Sequence, residues 1–239
     1  MSESFRLWVE VAFNITYLAV IWTMVALMAR HMAVVEQSDR PVARRVLWAF
    51  ALLALGDTGH VGFRVIAYAR GGLAANPALV GLGALSTAYT VTLFYMLMVD
   101  IWRLRFAKSL GWFGWSLLAA GAVRMILMTF PGNGWQQVVA PYDWSLLRNA
   151  LLVVQGLGVM FLILRDARRA HDRAFMWIGI LIALSFAFYA PVILWVSAAP
   201  MLGMLMIPKT CAYLGVAFVA YNAFWRRAMP ESVRAPAPA

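Results

Sequence analysis

Residues 174–198 read AFMWIGILIALSFAFYAPVILWVSA, twenty-five positions without one charged side chain. A helix of about 20 apolar residues crosses the hydrocarbon of a bilayer, whereas a helix at the surface of a soluble domain keeps a polar face. The stretch is expected to be a membrane span, and the rest of the chain repeats its pattern. Further segments of similar length and hydropathy run over approximately 7–30, 46–68, 77–102, 110–130, 144–165 and 201–225. Between them lie Ser38-Asp39-Arg40-Pro41, Gly71-Gly72, Pro131-Gly132-Asn133-Gly134 and Ala199-Pro200, combinations that break helices and turn chains. The expected fold is all-α, a polytopic seven-transmembrane helix bundle. One membrane domain is expected over residues 1–228, and a disordered cytoplasmic tail over 229–239, ending APAPA. No internal repeat points to a transporter built from two related halves.

Composition agrees. With 64% hydrophobic and 13% charged residues in 239, the chain carries more apolar surface than a soluble domain of this length can bury. The start MSESFRLWVEVAF lacks the basic n-region and small-residue cleavage site of a secretory signal, so the first segment is expected to remain as a span. A single cysteine, Cys211, leaves no intrachain disulfide or Cys-based metal motif, and a small packing role is expected for it.

Basic residues set the expected orientation. Arg30, Arg40, Arg44 and Arg45 follow the first segment; Arg103, Arg105 and Lys108 follow the third. Arg165, Arg168, Arg169 and Arg173 follow the fifth, and Arg226, Arg227 and Arg234 follow the seventh. The other side has only Arg6 and Arg70. Because basic loops stay cytoplasmic, an outside N-terminus and a cytoplasmic C-terminus are expected, in a multi-pass protein of the cell (inner) membrane. This distribution also accounts for the net charge of +10, which serves topology and anionic head groups; nucleic acid is not an expected partner. His31 and His171 fall in these basic loops and are expected to be solvated.

Against this apolar background, Arg64, Arg124, Arg148 and Lys209 stand inside spans, with Glu10, Asp57 and His60. Ionisable groups in hydrocarbon are costly and usually mark a site. At ~1.5 Å per residue, Arg64 and Arg148 lie about 6 Å inside the outer ends of their helices, Arg124 about 9 Å, His60 and Lys209 about 12 Å and Asp57 about 16 Å. Glu10 and Asn14 fall in the same outer half. Agreement in depth across spans running in opposite directions points to an outward-facing polar cavity with four cations against two anions. Asp100, by contrast, sits at the basic end, where an ion pair with Arg103 is expected.

The most specific local pattern is Gly56-Asp57-Thr58-Gly59-His60-Val61-Gly62-Phe63-Arg64. Asp57, His60 and Arg64 follow the spacing i, i+3, i+7 and share one helix face. A carboxylate one turn from an imidazole can serve as an acid/base pair; it can equally tie to Arg64 or Lys209 and staple helices. The three glycines allow either close helix approach or room for a ligand. In the seventh segment, Pro208 is expected to kink the helix just before Lys209, with Tyr213 one turn on. Lys209 is too deep to reach the interface and needs an anion. Weaker signals are Glu10, Asn14 and Tyr17 on the first segment, Ser86, Tyr89 and Thr90 on the third, Asn149 and Gln155 on the fifth, and Ser185 and Tyr189 on the sixth. Each alone fits interhelical hydrogen bonding as well as ligand contact. Trp135 and Trp144 are expected as interfacial anchors.

The strings GDTGHVGFR, STAYTVTLFYMLMVDIWR, PGNGW, WSLLRN and IPKTCAYL resemble those of an uncharacterised family of bacterial seven-helix integral membrane proteins. The resemblance covers most of the chain and implies a shared site among the polar residues above; it brings no activity with it.

Three functions compete. A ligand-binding protein (sensor, carrier or lipid-handling factor) would hold a small anionic or zwitterionic ligand, lipid-like ones included, with Arg64, Arg124, Arg148 and Lys209, aided by Glu10, Asn14, Tyr89, Asn149, Tyr189 and Tyr213. An intramembrane enzyme would use Asp57 and His60 as acid and base, but no Gly-x-Ser-x-Gly elbow or His-x-x-x-His pair accompanies them. A retinal protein would use Lys209 on the last span, although three arginines suit a Schiff-base cation badly. No metal is expected, and the cofactor is left open.

Overall fold

Helix boundaries follow from residues that satisfy or forgo terminal hydrogen bonds. The computed structural model describes residues 3–137, 140–196, 198–226 and 228, and in the first helix the side chains of Val9 and of residues 11 onward. The tail 229–239 and the Glu10 side chain lie outside the described residues. Among the described residues seven α-helices form: α1 Glu3–Arg30, α2 Arg40–Ala69, α3 Pro77–Arg105, α4 Gly111–Leu127, α5 Tyr142–Arg169, α6 Arg173–Trp195 and α7 Met206–Tyr221. Pro41 and Pro77 stand in the first turns of α2 and α3, where a missing N–H costs no hydrogen bond. Asp172 caps α6, accepting the amides of Ala174 and Phe175 at 3.1 Å each. The α2–α3 turn uses Gly71 and Gly72 at φ 100° and 103°, angles open to glycine, and Asn76 clamps it through the carbonyls of Ala67, Arg70 and Gly72.

Six helices are long and apolar enough to cross a membrane: Val11–Arg30, Arg40–Ala69, Pro77–Arg105, Tyr142–Arg169, Arg173–Trp195 and Pro200–Arg226. The protein is therefore a helical bundle of the multi-pass membrane type. α4 is apolar but has 17 residues, and its chain continues through a 3-10 turn at Pro131–Asn133.

Packing is tightest between α2 and α3. Gly56 faces the Thr90 side chain, Gly59 faces Ser86, and a Cβ on Gly83 would lie 3.1 Å from the His60 Cα. Two of the three motif glycines therefore serve close helix approach, while Gly62 faces open space. Around this seam an aromatic core forms edge to face, Phe50 on Phe94, and Phe94 on both Tyr95 and Tyr213, with ring centroids 5.2–5.6 Å apart.

At the basic end, Asp100 pairs with Arg103 at 2.6 Å, as its spacing predicts, and also takes Arg45 of α2 at 2.8 Å. Arg105 bridges Asp39 (3.1 Å) and Asp172 (2.9 Å) and stacks over Phe175 and Phe224, so one guanidinium joins the ends of α2, α3, α6 and the turn after α7. His31 lies beside the Tyr221 hydroxyl at 3.4 Å.

The structure refines one expectation here and overturns another. α7 begins at Met206 after a 3-10 stretch, Pro200–Leu205, so Pro208 stands in its first turn. There the lost amide is one that a helix start leaves unbonded. Cys211 is exposed on the flank of α7, where no neighbouring helix covers it, and is not a buried packing residue.

The seam between α2 and α3 makes a direct prediction. Gly56→Val should destabilise the protein by roughly 1–3 kcal/mol because Thr90 cannot retreat, whereas Gly62→Ala should be neutral or slightly stabilising. Thermal unfolding in detergent, with both variants side by side, checks it.

Candidate functional site

Asp57 lies partway along α2, and its Oδ2 accepts the Tyr17 hydroxyl of α1 at 2.6 Å. A phenol held this close to a carboxylate forms one of the stronger bonds available to a bundle interior. From the first turn of α7, Lys209 places its ammonium over two aromatic faces, 4.7 Å from the Tyr189 centroid and 5.2 Å from that of Tyr213. Asp57 and Lys209 are electrostatic neighbours, but no ion pair within 4.0 Å joins them. The two tyrosines extend the cluster: Tyr189 donates to Asn149 Oδ1 of α5 at 3.0 Å, and the Tyr213 and Tyr95 hydroxyls lie 2.6 Å apart. Six helices thus meet through Tyr17, Asp57, Tyr95, Asn149, Tyr189 and the Lys209–Tyr213 pair.

A second polar column stands between α3, α4 and α5. Arg124, only 2% exposed, gives Nε to the Arg148 carbonyl (2.8 Å) and Nη1 to the Ala88 carbonyl (2.7 Å) and the Thr92 hydroxyl. It therefore ties three helices together and leaves only Nη2 without an assigned partner. Tyr89 adds a parallel tie, donating to the Met125 carbonyl at 3.0 Å. The segment PGNGW closes this column from above. Gly134 takes the left-handed φ of 62°; Asn133 donates to the carbonyl of Leu127, which ends α4, and to that of Phe130 beyond it, and its Oδ1 accepts Arg148 Nη1 at 3.2 Å. Trp135 donates to the Met128 carbonyl, and its ring lies 4.6 Å beneath the Arg148 guanidinium. Trp144 stacks on Phe130 and packs against Gly132. Both tryptophans expected as interfacial anchors are thus built into the loop: Trp135 hydrogen-bonds it and carries Arg148, and Trp144 packs against it.

The structure accordingly divides the four expected cations. Arg124 and Arg148 bond to carbonyls and side chains of the α3–α4–α5 column; Lys209 faces the Asp57 column. Arg64 is half-buried beside His60 and makes no hydrogen bond to another described residue. Asn14 is likewise half-buried on α1 without such a bond, and the Glu10 side chain lies outside the described residues. Asp57 and His60 share their helix face but do not bond each other: Tyr17 occupies the carboxylate, and His60 Nδ1 is buried with no partner among the described residues. The buried side-chain amide of Gln155, a residue 0% exposed, also lacks partners, and Ser185, 1% exposed, lies beside the Tyr213 hydroxyl.

Sequence reasoning passed over Thr92, Tyr95 and Asn133. Thr92 and Tyr95 read as ordinary bundle residues, and Asn133 as part of a turn. The PGNGW string carried a signal for Asn133, because an Asn after Pro-Gly beyond an apolar run often closes a helix with its side chain. Among the described residues no group of three His, Cys, Asp or Glu could hold a metal ion. The arrangement offers an ammonium, a carboxylate and several phenols to a polar guest, with a guanidinium one helix face away. Comparison of the chain with family models, with curated proteins and with solved structures finds no match.

If Arg124 is a tie between helices, Arg124→Met should lower stability by about 3 kcal/mol, since a charged donor set that joins three helices is lost. Arg124→Lys should recover less than half of that, because one ammonium cannot reach α3 and α5 together. Thr92→Val should cost about 1 kcal/mol. Detergent unfolding midpoints of the three variants give the order.

Proposed function

We propose that the protein binds a small anionic or zwitterionic ligand, lipid-like amphiphiles included, between α1, α2, α6 and α7, as a sensor, carrier or lipid-handling protein. In this reading α4 completes a seven-span bundle: its 17 residues cover about 26 Å, close to the ~30 Å of hydrocarbon. The basic end faces the cytoplasm of a bacterial inner membrane, the N-terminus lies outside, and the chain belongs with the bacterial membrane proteins its motifs resemble.

One observation carries the reading. Lys209 of α7 and Asp57 of α2 are electrostatic neighbours without an ion pair, while Nδ1 of His60, one turn from Asp57, is buried with no partner among the described residues. Bundle residues that serve only packing would close such a set, since each unsatisfied buried group costs about 1–3 kcal/mol. A guest with a carboxylate or phosphate satisfies it: its anion meets the Lys209 ammonium and Arg64, and a positive group meets Asp57. Tyr189 and Tyr213, which flank the ammonium, give its stem and the guest an apolar wall.

The test uses dodecyl phosphate, dodecanoate and dodecylphosphocholine below their micelle-forming concentrations. At least one should raise the unfolding midpoint of the detergent-solubilised protein. Lys209→Met should weaken that ligand at least tenfold, the size of one charge-assisted hydrogen bond, and Arg64→Gln by a smaller factor. A ligand whose affinity is unchanged in Lys209→Met ends the proposal. The protein should stay colourless with retinal; a visible band lost in Lys209→Ala would replace this reading with the retinal one.

A further inference from the structure

The basic end holds a feature that plays no part in the Asp57–Lys209 cluster. Two clefts of about 630 and 530 Å³ open on the outside of α5 and share Phe161 and Arg165. The first runs along one face of α5, past Met160, Leu164, Arg168 and Arg169. The second lies between α5 and the start of α4, past Trp102, Lys108, Ser109, Trp112 and Phe113. Together they form one groove, apolar toward the middle of the bundle and cationic at its rim.

Charge sorts along the groove by depth. The floor is Phe161, Leu164, Met160 and Phe113. The rim is Lys108, Arg165, Arg168 and Arg169, with one acid beside them, Asp166. That carboxylate is turned inward: its side chain is 3% exposed, it accepts the Trp102 indole at 2.9 Å, and it pairs with Arg165 at 2.7 Å and Arg169 at 3.8 Å. Lys108 and Arg168 are exposed and make no hydrogen bond or ion pair with another described residue. Four cations against one buried acid leave the rim strongly positive. Trp112, 82% exposed, projects from the first turn of α4 beside it, the position in which an indole anchors at a head-group layer. An apolar floor below a cationic lip, at the depth of an interfacial tryptophan, matches one kind of occupant: acyl chains below, phosphate above.

We infer that this groove is a binding site for an anionic phospholipid, with a phosphate at each lobe, so that a two-phosphate head group of the cardiolipin type spans both. One phosphate is met by Lys108, Arg165 and the Ser109 hydroxyl, the other by Arg168 and Arg169, while acyl chains lie along Phe161 and Leu164. A head group without net charge leaves four cations at the rim balanced only by Asp166. The site is separate from the Lys209 cluster, and the two can fail independently.

Native mass spectrometry and thermal unfolding of the purified full chain, titrated with cardiolipin, phosphatidylglycerol, phosphatidylcholine or inorganic phosphate, decide the matter. Cardiolipin should bind at least tenfold more tightly than phosphatidylcholine, with phosphatidylglycerol between them, and inorganic phosphate should give no stabilisation at millimolar concentration. Lys108→Gln and Arg168→Gln, each at an exposed position outside the ion-pair network, should each weaken cardiolipin several-fold and together at least tenfold. Their midpoints without lipid should equal that of the parent, which separates lost binding from misfolding. Lys209→Met should leave cardiolipin binding unchanged. Equal binding of phosphatidylcholine, equal protection by inorganic phosphate, or undiminished cardiolipin affinity in the double variant would each overturn the assignment.

Discussion

A charged side chain placed in an apolar helix has to find its hydrogen bonds inside the protein, because hydrocarbon offers none. Arg124 shows the strength of that demand. Its donors reach the backbone of α3 and α5 and the Thr92 hydroxyl, although those carbonyls already belong to helices. The relative placement of α3, α4 and α5 follows from this requirement, since a shift of one turn in any of them would strand a buried guanidinium. The same logic draws the PGNGW loop over the column: Arg148 needs acceptors, and Asn133 and Ser145 supply them while the Trp135 ring supports the guanidinium from below.

The other half of the bundle answers the demand differently. There the seam of Gly56 and Gly59 against Thr90 and Ser86 brings α2 close to α3, and Asp57 is satisfied by a phenol from α1. Lys209 is held by aromatic faces, which stabilise a cation by a fraction of what a carboxylate contact gives. The Tyr189–Asn149 hydrogen bond joins the two halves, so Lys209 is two contacts from the residue that follows Arg148. In the half built on Arg124 and Arg148 both guanidiniums are tied to neighbouring helices or the loop above, although Gln155, packed against Gly121 of α4, keeps unpaired atoms. The other keeps polar capacity in reserve, and for that reason carries the functional proposal.

Legibility in the sequence tracked the range of the interaction. The Asp100–Arg103 pair is readable because three residues of helix bring them together; Arg45, which joins the same carboxylate from α2, is not. Pro208 reads as a kink only if the helix is assumed to begin well before it, and the 3-10 stretch Pro200–Leu205 moves that start to Met206. Cys211 reads as core in an apolar run, but in a bundle surrounded by lipid apolar residues also face outward, and composition cannot separate the two faces. Asp57 and His60 read as a pair because they share a helix face, yet a phenol forty positions away in the chain takes the carboxylate.

Hydropathy and length alone determined that the chain is a bundle of long apolar helices and that unusual polar groups recur at a common depth, because both properties are set by counting residues along a helix of fixed rise. The distribution of arginines likewise marked one end as basic before any contact was known. Only the tertiary structure decided which of those groups are tied and which are left with capacity for a partner. That division depends on the rotation of each helix about its axis, and rotation is set by neighbouring side chains that lie far off in sequence: Thr92 for Arg124, Tyr17 for Asp57, Tyr189 for Lys209.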